Sequence, residues 1–270
     1  MKSKILLGSG GIATEERRKI YTTLVREHFS KYNEILFIPY ASNDHESYTK
    51  RMQSFLGPQG PKLVGIEACR DSTEAVRNAE AIYVGGGNSF LLIRDLHEKN
   101  LLDEIRVKVL NGMPYLGVSA GSNVACPSVM TTNDMPIVHT PSLEALGIVP
   151  FQINPHYHPG KILFMNGEDL SMHYGETRAQ RIAEFHKQNS TPVLGMWEGS
   201  FVHWDGDVGS LTGRATALVA DKEPLDLFDG SKFDSSFNQL IIPQVLTVVT
   251  YPIGYSPEIL FSVLKLRVTS

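Results

Sequence analysis

Apolar runs of strand length alternate with amphipathic stretches of helix length through the first half of the chain. Ile5-Leu6-Leu7 ends in Gly8-Ser9-Gly10-Gly11. Glu15 to His28 carries Ile20, Leu24 and Val25 on one face, the spacing of a helix packed along one side. Glu34 to Tyr40 predicts a buried strand, Asp44 to Leu56 a helix stopped by Gly57-Pro58, and Leu63 to Ile66 a third strand. A short helix opens at Ser72, with Ala75 and Val76 inward. Ala81 to Val84 is a fourth strand and runs into Gly85-Gly86-Gly87-Asn88. Phe90 to Lys99 and Leu101 to Leu110 read as helices, and Pro114 to Val118 as a fifth strand. Such an alternation predicts an α/β fold, a mostly parallel sheet with helices on both faces. Ligands of these sheets bind beyond the strand C-terminal ends.

The second half is less regular. Met130 to Val138 reads as a loop and short strand, and Phe151 to His158 as extended around Pro155. Thr177 to Gln188 predicts a helix with Ile182 and Phe185 inward. Pro192 to Phe201 reads as a strand ending in Glu198-Gly199, a strand end that could face the ligand crevice, and Val202 to Thr212 as a hairpin turning at Asp205-Gly206-Asp207. Ser235 to Ser270 is apolar and β-rich, expected to cover core. There is no internal repeat.

A length of 270 residues suffices for one large domain or two small ones, and 42% hydrophobic with 20% charged residues is a globular composition. A net charge of -4 gives no electrostatic case for nucleic acid. No apolar run reaches the roughly 18 residues of a membrane span. Met1 to Leu7 is expected to be a first strand, not a leader, and the location cytoplasmic. The two cysteines, Cys69 and Cys126, are too few for a disulfide framework. Cys126, between Ala125 and Pro127, is expected to be a buried thiol.

The chemistry centres on Gly117-Val118-Ser119-Ala120-Gly121. A strand followed by Gly-x-Ser-x-Gly and a small-residue run, Ala120 to Ala125, is the pattern of a nucleophile elbow. The tight strand-to-helix turn exposes the Ser hydroxyl and leaves backbone N–H groups free for a developing oxyanion. Gly85–Asn88 falls at a neighbouring strand end. It lacks both the P-loop Lys-Ser/Thr and Gly-x-Gly-x-x-Gly, so a phosphate loop is the weaker reading. His156 and His158 share a strand face, yet no carboxylate or Cys completes a spacing typical of zinc.

Five segments recur in order: Val84-Gly85-Gly86-Gly87-Asn88-Ser89-Phe90, Gly117 to Asn123, Thr131-Thr132-Asn133-Asp134-Met135-Pro136-Ile137, Ile153-Asn154-Pro155-His156 and Gly175-Glu176-Thr177-Arg178. With them the chain resembles peptidase E, the α-aspartyl dipeptidases of serine peptidase family S51, over roughly residues 2 to 233. The resemblance implies a flavodoxin-like three-layer sandwich similar to class I glutamine amidotransferases. It implies a catalytic domain over 1–234 and leaves 235–270 as a C-terminal extension without assigned role. The implied activity is hydrolysis of Asp-Xaa dipeptides through an acyl-enzyme, with no metal or cofactor. The expected partner is a small peptide with N-terminal Asp, and a homodimer is the assembly to test; neither nucleic acid nor membrane is expected.

The residue roles follow the same resemblance. Ser119 is the expected nucleophile, His156 the base, and Glu198 the direct partner of His156. Asp134 is the rival acid, or a group that positions its loop or binds the substrate amino group. Gly87 and Ala120 are the expected oxyanion donors. Arg178 is expected to bind the substrate Asp carboxylate, with Asn88 beside it in the substrate site. The order Ser, His, acid differs from the α/β-hydrolases, where the acid precedes the His. Lys161 to His173 is an expected insertion, a lid or a surface loop. Two alternatives remain at this point: a cyanophycinase-like β-aspartyl peptidase, and a non-catalytic binding module on the same scaffold.

Overall fold

The structure, a computed structural model, describes residues 3–160, 163–172 and 174–241. Strand β1 (Ile5–Gly8) leads into helix α1 (Glu15–His28), whose first turn is capped by the Thr14 side chain. Then follow β2 (Glu34–Ile38), α2 (His45–Leu56), β3 (Lys62–Gly65), α3 (Ser72–Asn78) and β4 (Ile82–Val84). Asp44 and Asp71 cap α2 and α3 by accepting first-turn N–H groups. Next come α4 (Ser89–Glu98), α5 (Leu102–Leu110) and β5 (Tyr115–Val118). The five strands pair in parallel in the order β1-β5-β4-β2-β3.

Successive side chains along these strands point to opposite faces. Leu6, Ile35, Phe37, Tyr83 and Leu116 pack with Tyr21 and Val25 of α1 and Tyr48 and Leu56 of α2. Ile5, Leu7, Leu36, Ile38, Ile82 and Val84 pack with Leu92, Leu96, Ile105 and Val109 of α4 and α5 on the other face. Burial on both faces is why the strands are apolar without alternation.

Beyond β5 the chain forms α6 (Ala120–Asn123), β6 (Gln152–Asn154), β7 (Leu163–Asn166), β8 (Asp169–Met172), α7 (Arg178–Phe185) and β9 (Val193–Met196). It ends its described part with β10 (Phe201–Trp204), β11 (Gly209–Thr212), β12 (Ala215–Leu218), β13 (Leu225–Leu227), β14 (Lys232–Phe233) and β15 (Gln239–Ile241). Strand β10 pairs antiparallel with β1, and β11, β14 and β15 extend the same sheet antiparallel. A second sheet, β13-β12-β9-β6, joins the core on the α4 and α5 side through Ile153, Leu194, Met196 and Ala217.

Three expectations change. The strand expected to end in Glu198-Gly199 stops at Met196 as β9 in the second sheet, and Phe201 already opens β10 in the first. The turn between them, Trp197 to Ser200, needs a left-handed residue and has Gly199 at φ +78°. No strand forms over Met130 to Val138; its backbone is irregular, and the isolated bridge of Ser128 with Glu144 lies outside it. Helix α7 ends at Phe185, three residues before Gln188. Within the expected insertion, β7 and β8 make a two-stranded hairpin of their own, with Leu163, Met165 and Leu170 exposed. Positions 161, 162 and 173 of that segment lie outside the described residues, as do 242–270 of the apolar C-terminal stretch.

Candidate active site

Strands β1, β4 and β5 end side by side, and the site is built on those ends. Ser119 follows β5 directly and takes φ +54°, ψ -111°, a conformation few non-glycine residues adopt. Its N–H donates to the Gly8 carbonyl at 2.9 Å, tying the strained turn to β1. The flanking glycines are required by close approach. A Cβ on Gly121 would overlap the Val84 carbonyl, and one on Gly117 the Gly121 carbonyl.

His156 leaves β6 after Pro155 and is itself left-handed, at φ +55°. Its Nε2 lies 2.9 Å from Ser119 Oγ, and its Nδ1 lies 2.6 Å from Glu198 Oε1. In the tautomer with Nδ1 protonated, Nδ1–H donates to Glu198 and Nε2 accepts the Ser119 hydroxyl. Glu198 reaches this position from the turn between β9 and β10, at the strand end where the sequence placed it.

Asp134 is not on the imidazole. Its Oδ2 accepts the Ser89 N–H at 2.7 Å, at the first residue of α4. A carboxylate there satisfies one orphan donor and faces the positive end of the helix. The loop that carries it is pinned to the His segment. Asn133 Nδ2 donates to the Pro155 carbonyl at 2.7 Å, and Thr131 Oγ1 to the Ile153 carbonyl at 2.8 Å. Asn88 also departs from its expected place in the substrate site. Its Oδ1 accepts the Phe90 and Leu91 N–H groups as the N-cap of α4, and its Nδ2 donates to the Met135 carbonyl at 3.0 Å. Local structure engages both ends of that amide.

The glycine turn after β4 has its donors sorted. Gly85 N–H donates to the Ile38 carbonyl and Asn88 N–H to the Ala41 carbonyl. Tyr48, from α2, sits beneath the turn. Burial pushes its phenol up to about 12, partly offset by a hydrogen bond with the Gly86 backbone. Gly87 N–H has no acceptor among the described residues. Gly87 has φ +137°, and a Cβ there would overlap the Ala41 carbonyl. Ala120, the first residue of α6, has an N–H that no preceding turn can use. Both residues flank Ser119. A cavity of about 300 Å³ opens beside them, lined by Gly87, Ser119, Asn123, Asn133, Asp134 and His156 among others.

Arg178 begins α7, whose capping box joins Thr177 and Gln180. Its Nε is buried with no hydrogen-bond partner among the described residues. Burial, then the neighbouring Arg181, lowers its pKa, while Asp134 and Glu198 act in the opposite sense. An unpaired buried guanidinium N–H is costly unless an anion completes it. Cys126 is fully buried, its Sγ donating to the Ser122 carbonyl, and burial pushes the thiol well up, so it is no nucleophile. His158 turns away to the Gly160 carbonyl. Ser9 and Tyr48, buried behind the His156 segment and the glycine turn, are the supporting residues that sequence reasoning missed. Ser9 had been visible only as a residue in a glycine-rich strand end.

An elbow serine, a histidine and a carboxylate in hydrogen-bond sequence on an α/β sandwich have the layout of a serine hydrolase. Comparison with known proteins narrows the class. The description of peptidase family S51 matches residues 4–212. A probable alpha-aspartyl dipeptidase of Drosophila melanogaster is 47% identical over 186 residues, 68% of this chain and 75% of that protein. A peptidase E of Streptomyces coelicolor is 44% identical over 185 residues, covering 68% and 73%. One of Nostoc is 40% identical over 224 residues, covering 81% and 89%. The fold is shared with a putative peptidase E from Listeria monocytogenes, at a TM-score of 0.54 and 20% identity over 84% of this chain and 99% of that one. A peptidase from an acI-B1 actinobacterium has a TM-score of 0.58 at 17% identity, covering 87% and 97%. The chain belongs to peptidase family S51.

Proposed function

We propose that this chain is a serine-type dipeptidase that hydrolyses Asp-Xaa. The observation that carries the reading is the Ser119–His156–Glu198 relay, with contacts of 2.9 and 2.6 Å, together with the unpaired Nε of Arg178, whose guanidinium lies within electrostatic reach of Glu198 and Asp134. The Asp side-chain carboxylate binds Arg178. Ser119 Oγ attacks the Asp carbonyl carbon while His156 Nε2 takes its proton, and Glu198 holds the charged imidazole. The oxyanion accepts N–H groups from Gly87 and Ala120. His156 returns the proton to the leaving amine, which departs as the C–N bond breaks. Water, activated by the same imidazole, then releases aspartate from the acyl-enzyme.

Asp134 sits between the cavity and the start of α4 and presents a carboxylate toward the substrate's ammonium group. Among the described residues no helix is long and apolar enough to cross a membrane. A cytoplasmic location accords with the two unpaired cysteines. Subcellular fractionation tests it.

A panel of Asp-Leu, Glu-Leu, Asn-Leu and isoAsp-Leu tests the substrate class. Asp-Leu is expected to lead by orders of magnitude, because a fixed guanidinium rewards one carboxylate position and a neutral amide leaves it unpaired. Preference for the isoaspartyl substrate would replace the α-aspartyl reading with a β-aspartyl one.

A further inference from the structure

Ser9 is fully buried, immediately past the end of β1. A buried hydroxyl is stable only with its donor and acceptor engaged. Here both reach the segments that carry the general base and its acid. Ser9 Oγ accepts the His156 N–H at 2.8 Å and donates to the Met196 carbonyl at 3.0 Å. Its own N–H donates to the Ser200 carbonyl at 2.9 Å. Met196 and Ser200 bracket the turn that presents Glu198. The Met196 carbonyl also accepts the Tyr157 N–H at 2.9 Å, so Ser9, Met196, Tyr157 and His156 close a ring.

The two glycines that follow complete the wall. A Cβ on Gly10 would stand 2.9 Å from His156 Cε1, and one on Gly11 would overlap Glu198 Oε2. The Gly10 carbonyl accepts the Gly199 N–H at 2.8 Å. His156 needs such support. It holds a left-handed backbone as a non-glycine residue, a conformation that persists only where surroundings fix it.

The geometry points to Ser9 as a positioning residue for the His156–Glu198 pair, with Gly10 and Gly11 as the surface against which the pair is aligned. This rests on the reading of Ser119, His156 and Glu198 as the catalytic relay. The hydrogen bonds of Ser9 go to His156, Met196 and Ser200, none to Ser119. Ser9 acts by fixing where the imidazole and the carboxylate meet.

The test is a double-mutant cycle on kcat for Asp-Leu, with Ser9→Ala made alone and together with Glu198→Ala. Ser9→Ala is expected to lower kcat by about tenfold to a hundredfold, the scale of a displaced catalytic group, with KM near that of the wild type. In the Glu198→Ala background the further loss should shrink to within about threefold, because the aligned partner is already gone. Ser9→Cys keeps the side-chain shape with a larger atom and a weaker hydrogen bond, and is the variant to use if the alanine protein does not fold; the same shrinkage is expected. The low-field proton resonance of His156 Nδ1–H should move or broaden in either Ser9 variant. Equal losses in both backgrounds, or an unmoved resonance, would overturn the role of Ser9 alone. An unchanged kcat in Glu198→Ala would overturn the relay, and this inference with it.

Discussion

Glu198 Oε1 lies 2.6 Å from His156 Nδ1 across a sequence separation of 42 residues, while Asp134, nearer in sequence, bonds to Ser89 N–H instead. The two acids therefore have separable roles. Glu198→Gln is expected to lower kcat by roughly 10³- to 10⁴-fold with little change in thermal midpoint, since an amide favours the wrong tautomer. Asp134→Asn keeps an acceptor for Ser89 and loses the charge at the helix end, worth about 0.3–1 kcal/mol. Comparable kcat losses in both variants would contradict separable roles, and a larger loss in Asp134→Asn would reverse the assignment.

Gly87→Ala removes a donor by displacing it. The methyl group overlaps the Ala41 carbonyl, so the turn must move and take Gly87 N–H with it. A loss of roughly 10²- to 10³-fold in kcat is expected, as for deletion of one oxyanion donor. A KM effect without a kcat effect in steady-state assays would point to substrate binding instead.

Arg178 separates stability from function. Its buried Nε lacks a partner among the described residues, so Arg178→Met should leave the thermal midpoint unchanged or raise it. The same change should lower kcat/KM for Asp-Leu by roughly 10²- to 10³-fold and flatten the preference over Asn-Leu. A variant that unfolds, or keeps its preference for Asp, would count against a substrate-binding role.

His28 sets an acid limit on stability. Burial, then the charge of His203, lowers its pKa to about 4, against a smaller opposing effect of its bond to the Tyr115 carbonyl. The folded protein resists a proton that the unfolded chain accepts near pH 6.5. The stabilisation is therefore complete above pH 6.5 and is lost as pH falls toward 4, by up to about 3 kcal/mol. His203, also lowered by burial, acts in the same direction. Urea unfolding between pH 7 and 4 should show this slope, and His28→Gln should reduce it.

The sequence was most readable where one physical signal dominated. Strands buried on both faces are apolar runs, and capped helices with one apolar side carry their own boundaries, so β1 through β5 and α1 through α5 fall close to expectation. The second sheet was not legible, because β6, β9, β12 and β13 come from scattered parts of the second half, where no regular strand–helix alternation links one strand to the next. The turn at Trp197 to Ser200 showed only as a strand end at Glu198-Gly199, with nothing to say that the chain crosses there from one sheet to the other. Ser119 and His156 were named from the motifs and Glu198 from its strand end and the family resemblance, but only the fold shows which acid meets the histidine. Asn88 looked like a substrate residue because it follows the glycine turn; its amide caps α4. Ser9 escaped notice because its partners, His156 and Met196, are far away in the chain.

The central claim is tested most directly by hydrolysis of Asp-Leu with wild type and Ser119→Ala side by side, with folding checked by circular dichroism. The wild type should turn over Asp-Leu, and the variant should lose at least about 10⁴-fold in kcat with its spectrum unchanged. Retained turnover in Ser119→Ala, or a folded wild type without activity on Asp-Leu, would contradict the account.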